Sequence, residues 1–397
     1  MIKAAILGYG VVGSGVYEII HKNEKSISRK TGGKTITVKH ILDLRDFPDH
    51  EQPELFTKNY EDILHDPEVS IVVEVMGGLK PAYEYSKAAL LAGKNVITSN
   101  KELVAEHGTE LMAIAKEHDV NYLFEASVGG GIPIIRPLNQ CLAANEIEEI
   151  YGILNGTTNY ILTKMVAEGA DFDGALSEAQ RLGYAERNPE ADVEGYDACR
   201  KIAILASLAS GKYVNWRNVP TEGITKITRS DVAFAEKYHA VIQLVGAAKI
   251  VDGEVYCRVS PMVIPAGHQL SEVNDVFNAI LVKGDSIGDV MFYGRGAGKL
   301  PTASAVVADV IDAAKHIHIN KFITWKEAKE DFMIDPETVT SRYFVRANSE
   351  GVMDSFPNAE SLGNENGEWF FVTEEMTEAE FKKVFADRGA FIRVLEA

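Results

Sequence analysis

The sequence predicts an α/β chain: a doubly wound parallel sheet first, an α+β region after it, and a short β-α-β segment at the end. Three observations predict this. Residues 2–7 form an apolar strand that runs directly into Gly8-Tyr9-Gly10-Val11-Val12-Gly13 and then into the helical pattern SGVYEIIHKN. Strand-like and helix-like stretches alternate from there to residue 130, as a parallel sheet with crossover helices requires. Beyond FEASVGGGIPIIRPL the alternation changes character, with longer strands and helices and then a final set of short strands.

The glycine loop comes first because its setting gives it meaning. Gly8 permits the tight turn, Gly10 lets a pyrophosphate approach the backbone, and Gly13 allows the helix to pack closely on the strand. Val11 and Val12 belong to this loop and are expected to border the cofactor, and the phosphates then sit at the N-terminus of the helix that follows. This is a Rossmann-type dinucleotide-binding start. The second strand is expected over Thr35–Leu42, ending at Asp43. An acid there accepts the ribose 2′-hydroxyl and favours NAD, whereas Arg45 suits the 2′-phosphate of NADP, so both cofactors stay open. SIVVEVMGG (70–78) is the next strand, and a helix follows from Pro81 to Gly93. A strand ending at Thr98 puts Ser99, Asn100 and Lys101 at the carboxyl edge of the sheet, where ligands bind. Lys101 therefore faces the cofactor crevice or starts the next helix, a poor place for a cation.

Glu125 closes a strand ahead of Gly129-Gly130-Gly131, and two readings fit it: an oxygen ligand of a hard cation, or a buried acid accepting backbone amides. Residues 147–154 form a further strand. Asn155-Gly156-Thr157-Thr158 leads into a helix with Thr157 or Thr158 as N-cap, and the same groups can grip a carboxylate. The stretch LGYAERNPEADVEGYDACRK then collects Glu186, Asp192, Glu194, Asp197 and Lys201. Asp197 and Lys201 are four apart on a helix and share a face. Beside a run of Ala, Ile and Leu, such a lysine is a candidate proton donor. An ordinary ion pair on the helix surface is the alternative. In MFYGRGAGKLPTASAVVADV, a glycine loop leads to Pro301 and Thr302, which open a long helix expected to pack back on the first domain. The tail reads as strand (SRYFVRAN), strand (GEWFFVTEE), helix (TEAEFKKVFADRG) and strand (AFIRVLEA).

Composition narrows the function. A chain of 397 residues exceeds one core, so two or three domains are expected. A net charge of −18 argues against nucleic-acid and anionic-membrane partners. No apolar run reaches the ~18 residues that span a bilayer, and the N-terminus lacks a signal-peptide pattern. Cys141, Cys199 and Cys257 are far apart and odd in number, as for free thiols in a reducing cytoplasm. A cytoplasmic enzyme is the expected class.

Seven ordered blocks carry a family resemblance: GYGVVGSGV, TSNKELVA, FEASVGGGIPIIR, ILNGTTNYILTKM, LGYAE, ADVEGYDACRKIAILA and GRGAGKLPTASAVV. Along nearly all of residues 1–335 the chain resembles homoserine dehydrogenase. The resemblance implies NAD(P)H-dependent, reversible reduction of L-aspartate 4-semialdehyde to L-homoserine, on the route to threonine, methionine and isoleucine. It implies that Lys201 donates the proton and that Lys101 assists it. Glu186 and Asp197 would hold the substrate amino end, with Asp192, Tyr184 and Thr157 close by. Gly183 and Gly298 would border the cofactor. Glu125, with the carbonyls of Val128, Gly130 and Ile132, matches the family's sodium site. Arg187-Asn188 and Arg295 depart from the family pattern at positions without a catalytic role.

The implied domains are a dinucleotide-binding domain (1–130 with 300–318) and a substrate-binding and dimerisation domain (131–299). A linker (319–340) and a truncated ACT-like module (341–397) follow, and a homodimer or homotetramer is expected. No fused kinase domain is expected ahead of the first strand. The segment between Asn348 and Trp369 looks too short for the module's usual first helix and following strand, which puts threonine feedback in doubt. Two rivals are a different amino-acid dehydrogenase on the same nucleotide fold and a nucleotide sensor without chemistry. Neither explains the lysines placed among carboxylates.

Overall fold

The computed structural model describes residues 1–328 and 331–395. The chain divides into two compact units, one of Met1–Ala144, Ser207–Asn215 and Gly294–Lys329, the other of Asn145–Ala206, Trp216–Tyr293 and Glu330–Ala397.

The first unit holds six strands: β1 (Ile2–Leu7), β2 (Ile36–Leu42), β3 (Phe56–Thr57), β4 (Val69–Glu74), β5 (Asn95–Thr98) and β6 (Tyr122–Leu123). They are parallel and ordered β3-β2-β1-β4-β5-β6. That order places the switch point beside β1, where a dinucleotide binds. Strands β1, β4 and β5 are nearly all buried, which is why they read as continuous apolar runs rather than alternating ones. The Lys299–Lys315 helix opens from Gly298, and Pro301 lies in its first turn, where a missing N–H costs nothing. It packs on the Val11–Lys22 helix, as expected. A Cβ on Gly15 would lie 2.9 Å from both the Ala303 Cβ and the Lys299 carbonyl, so glycine sets that close approach.

The second unit is built on a long sheet. Its strands are β7 (Ile147–Ile153), β8 (Ala240–Val251), β9 (Glu254–Pro265), β10 (Phe277–Gly284) and β11 (Gly288–Arg295). The tail adds β12 (Thr340–Ser341), β13 (Tyr343–Ala347), β14 (Glu360–Glu365), β15 (Glu368–Val372), β16 (Met376–Thr377) and β17 (Gly389–Val394). Nine of these form one sheet ordered β11-β10-β7-β8-β9-β17-β13-β15-β14, and β12 pairs β16 apart from it. The β8–β9 hairpin turns at Asp252-Gly253, both with positive φ, the chemistry that such a two-residue turn requires.

The tail departs from the sequence reading in two ways. Strand β14 occupies part of the stretch judged too short for one, and a six-residue 3-10 helix, Glu350–Ser355, stands where the first helix was expected. The tail therefore contributes four strands to the sheet, in the order β17-β13-β15-β14. Polar residues of the 349–366 stretch hid the strand, because an edge strand needs no apolar face. The tail also does not stand apart: β17 pairs in parallel with β9, continuing the sheet of the substrate region. The expected linker is anchored as well. In the first unit, Trp325 donates its indole N–H to Thr109 Oγ1 at 2.8 Å. In the second, Met333 bridges Val255.

Candidate active site

In the first unit, β1 delivers the glycine loop. Gly8 has φ +94°, and a Cβ on Gly13 would lie 1.9 Å from the Gly8 carbonyl oxygen, so the loop closes only with glycine at both places. A Cβ on Gly10 would meet nothing within 4 Å, which leaves open space over the backbone where a pyrophosphate must approach. Val11 and Val12 begin the helix. These residues fit a dinucleotide.

Asp43 follows β2, and its carboxylate is already engaged. It accepts the Tyr9 N–H at 2.8 Å and the Arg45 backbone N–H at 3.0 Å. Arg45 closes a fork on it, with Nε at 3.0 Å and a terminal nitrogen at 2.9 Å. The same guanidinium donates to the Tyr9 carbonyl at 3.0 Å and lies over the Phe47 ring. The Arg45 guanidinium holds the Asp43 carboxyl well below the usual carboxylate range. The two residues that argue for opposite cofactors are thus partners of one another.

Ser99 and Asn100 follow β5, and Lys101 is the first residue of the Lys101–Glu117 helix. Asn100 caps that helix, its side-chain oxygen accepting the Leu103 N–H at 3.1 Å. Beneath the turn lies Glu74, a fully buried acid at the end of β4. It accepts the Thr98 hydroxyl at 2.6 Å and the Met76 N–H at 2.8 Å. Burial raises its carboxyl above the ordinary value, against the pull of those donors. This arrangement was not legible in SIVVEVMGG, where Glu74 reads as one polar interruption.

Glu125 does not end a strand; it opens a 3-10 turn, Glu125–Ser127. One carboxylate oxygen accepts the N–H groups of Ile134 and Ile135, at 2.5 and 2.8 Å. The other accepts the Arg136 N–H and Nε, both at 2.9 Å. Asp309 accepts the Glu125 N–H at 2.8 Å. Burial pushes the Asp309 carboxyl up to about 8; Arg136 opposes the rise and Glu125 adds to it. A carboxylate with four donors has no lone pair to spare. The Glu125 carboxylate is thus fully engaged by protein donors. Among the described residues no cluster of His, Cys, Asp and Glu is placed to hold a metal.

The second unit supplies the acid–lysine half. Lys201, on the Tyr196–Ser210 helix, is 8% exposed, which removes the surface-pair alternative. Its ammonium donates to Asp197 Oδ2 at 2.7 Å and to the Leu154 carbonyl at 2.7 Å. Asn155 binds the group together. Its amide nitrogen donates to Asp192 at 2.7 Å and to Asp197 at 2.9 Å. Its side-chain oxygen caps the Gly156–Glu168 helix by accepting the Thr158 N–H at 2.9 Å. The cap is therefore Asn155, not Thr157 or Thr158. Thr157 instead donates its hydroxyl to the Tyr184 carbonyl at 2.7 Å. Gly183 ends the Phe172–Leu182 helix at φ +79°. Tyr184 and Glu186 follow it and are exposed, and the Glu186 side chain joins none of these bonds.

The capping role of Asn155 and the close packing at Gly246 also went unread in the sequence. A Cβ on Gly246, in β8, would lie 3.0 Å from the Ile202 Cβ and 3.1 Å from Leu154, so this glycine lets the lysine helix settle against the sheet. The signal for Asn155 was present in NGTT, where asparagine is as good a cap as threonine.

Comparison with known proteins agrees with both halves. The model of the homoserine dehydrogenase NAD-binding domain matches residues 8–125, and that of homoserine dehydrogenase matches 133–311. A homoserine dehydrogenase of Synechocystis is 48% identical over 319 residues, 78% of this chain and 73% of that protein. The crystal structure of a homoserine dehydrogenase from Thiobacillus denitrificans superposes with a TM-score of 0.88 at 36% identity, covering 100% of this chain and 98% of that one. A hyperthermophilic archaeal homoserine dehydrogenase in complex with NADPH superposes with a TM-score of 0.66 at 29% identity, covering 79% and 97%. The chain belongs to the homoserine dehydrogenase family, the NAD(P)-dependent oxidoreductases that interconvert L-aspartate 4-semialdehyde and L-homoserine.

Proposed function

We propose that Lys201 is the proton donor of this reaction, with Lys101 assisting, and that the carboxylates around Lys201 receive the substrate's α-ammonium group. One observation carries this reading: a lysine removed from solvent whose ammonium is fixed at two of its three donors by Asp197 and the Leu154 carbonyl. Hydride addition to an aldehyde develops negative charge on oxygen, and a positioned ammonium both stabilises that charge and gives up a proton to it. The nicotinamide, when bound, supplies the hydride. Asp197 aims the lysine, accepting from its ammonium at 2.7 Å. Asp192, held by Asn155, faces the α-ammonium together with Glu186, while Thr157 and Tyr184 shape the wall beside them.

Gly8, Gly10, Gly13, Val11 and Val12 would hold the pyrophosphate, Asp43 and Arg45 the adenosine ribose, and Ser99, Gly183 and Gly298 the remainder. The relative solved with NADPH supports a site that accepts the phosphorylated cofactor, and Asp43 supports NADH, so we read the enzyme as using both. Sodium would be held by Glu125 with the backbone carbonyls of Val128, Gly130 and Ile132. We read the protein as a cytoplasmic homodimer or homotetramer of amino-acid biosynthesis; light scattering gives the assembly directly. The mechanistic test is turnover of L-aspartate 4-semialdehyde by wild type and Lys201→Ala. Loss of turnover in the variant with cofactor binding intact supports the assignment, and retained turnover refutes it.

A further inference from the structure

We propose that Glu74 is a positioning residue for Lys101, acting through Thr98 and Asn100. The inference rests on the reading of Lys101 as an assisting group in proton transfer. Glu74 is fully buried at the carboxyl end of β4, the edge of a doubly wound sheet where ligands bind. Nothing in the reaction as described above uses it. An acid is costly in such a place and persists only when its bonds do work for the fold or the site.

Those bonds run to two loops at once. One oxygen accepts the Met76 N–H at 2.8 Å, at the start of Met76-Gly77-Gly78. The other accepts the Thr98 hydroxyl at 2.6 Å. The Thr98 oxygen in turn accepts the Asn100 N–H at 2.9 Å. Asn100 donates its side-chain amide to the Gly78 carbonyl at 2.6 Å and accepts the Leu103 N–H at 3.1 Å. The frame closes on itself: Glu74 fixes the β4 loop and Thr98, Thr98 fixes the Asn100 backbone, and Asn100 ties back to the β4 loop while capping the helix. Lys101 is the next residue. Its backbone direction is set by a cap that Glu74 reaches on one side through Thr98 and on the other along the Met76-Gly77-Gly78 loop. A lysine in a first helical turn faces the positive end of the dipole, so its placement there needs a rigid frame.

A frame of this kind adds nothing once its client is gone, and that gives the test. Thr98→Val removes the hydroxyl at nearly constant volume, and Glu74→Asp withdraws the carboxylate by one methylene. Each is measured alone and combined with Lys101→Ala, as kcat and KM for both substrates, with Tm as the control for folding. In the wild-type background each lowers kcat about tenfold or more, the scale of a small misplacement of a reacting group, with cofactor KM changed far less. In the Lys101→Ala background each changes kcat by less than about twofold. Glu74→Gln has one acceptor oxygen for two donors, Met76 N–H and the Thr98 hydroxyl, so it too lowers kcat in the wild-type background and not in Lys101→Ala. Equal losses in both backgrounds would show a general structural role and overturn the inference while leaving Lys101 in place. An unimpaired Lys101→Ala would overturn the role of Lys101 itself, a separate failure. If Thr98→Val does not fold, Glu74→Asp carries the same cycle.

Discussion

Lys201 shows how a single residue acquires its chemistry from three others. The sequence pairs it with Asp197 by helical spacing, but Leu154 and Asn155 lie more than forty residues away along the chain, and no local pattern brings them in. Asn155→Ala should remove a helix cap worth about 1 kcal/mol and free Asp192 and Asp197 together. The expected outcome is a lower Tm with a larger fall in kcat than the stability loss explains. Asp43 and Arg45 predict a second effect. Either cofactor must find this pair closed on itself, and Arg45→Ala removes the partner of a 2′-phosphate. KM for NADPH should rise about tenfold or more, the loss of one charge-assisted hydrogen bond, with KM for NADH little changed. Equal shifts for both cofactors would contradict it. Glu74 predicts a pH effect. Burial raises its folded carboxyl above the unfolded value of about 4.3, so the folded state holds the proton longer. That group then costs stability as pH climbs from there, and Glu74→Gln should flatten the fall of Tm over that range.

At the scale of elements, the glycine loop and the strands around it were legible because their constraints are local. A buried parallel strand must be apolar throughout, and a pyrophosphate loop must be glycine where backbone meets backbone. Gly13→Ala puts a methyl where the Gly8 carbonyl already lies, and should cost about 1–3 kcal/mol along with cofactor binding. Retention of both would contradict the geometry. The acid–lysine cluster was legible as residues and not as geometry. Glu186 stands near Asp192 in sequence yet is exposed and outside the bonded group, while Glu125 was open to two readings and its carboxylate accepts four N–H groups. Strand β14 was missed because its partner β15, and not its own pattern, makes it a strand.

For the whole molecule, the tail is joined to the substrate unit by more than a sheet edge. Arg258 on β9 and Arg393 on β17 are both buried and share Glu378. Glu378→Ala leaves the two guanidinium groups with Glu222 as their remaining carboxylate partner and should cost about 1–3 kcal/mol, measured by denaturant unfolding. A loss below 1 kcal/mol would mean that the tail is only loosely attached. The described helices include none long and apolar enough to cross a membrane. The most direct measurement is the oxidation of NADH and of NADPH by L-aspartate 4-semialdehyde, with Lys201→Ala beside wild type. The account predicts that wild type oxidises both, and that the variant binds them and oxidises neither at a comparable rate. Wild-type rates in Lys201→Ala would contradict it.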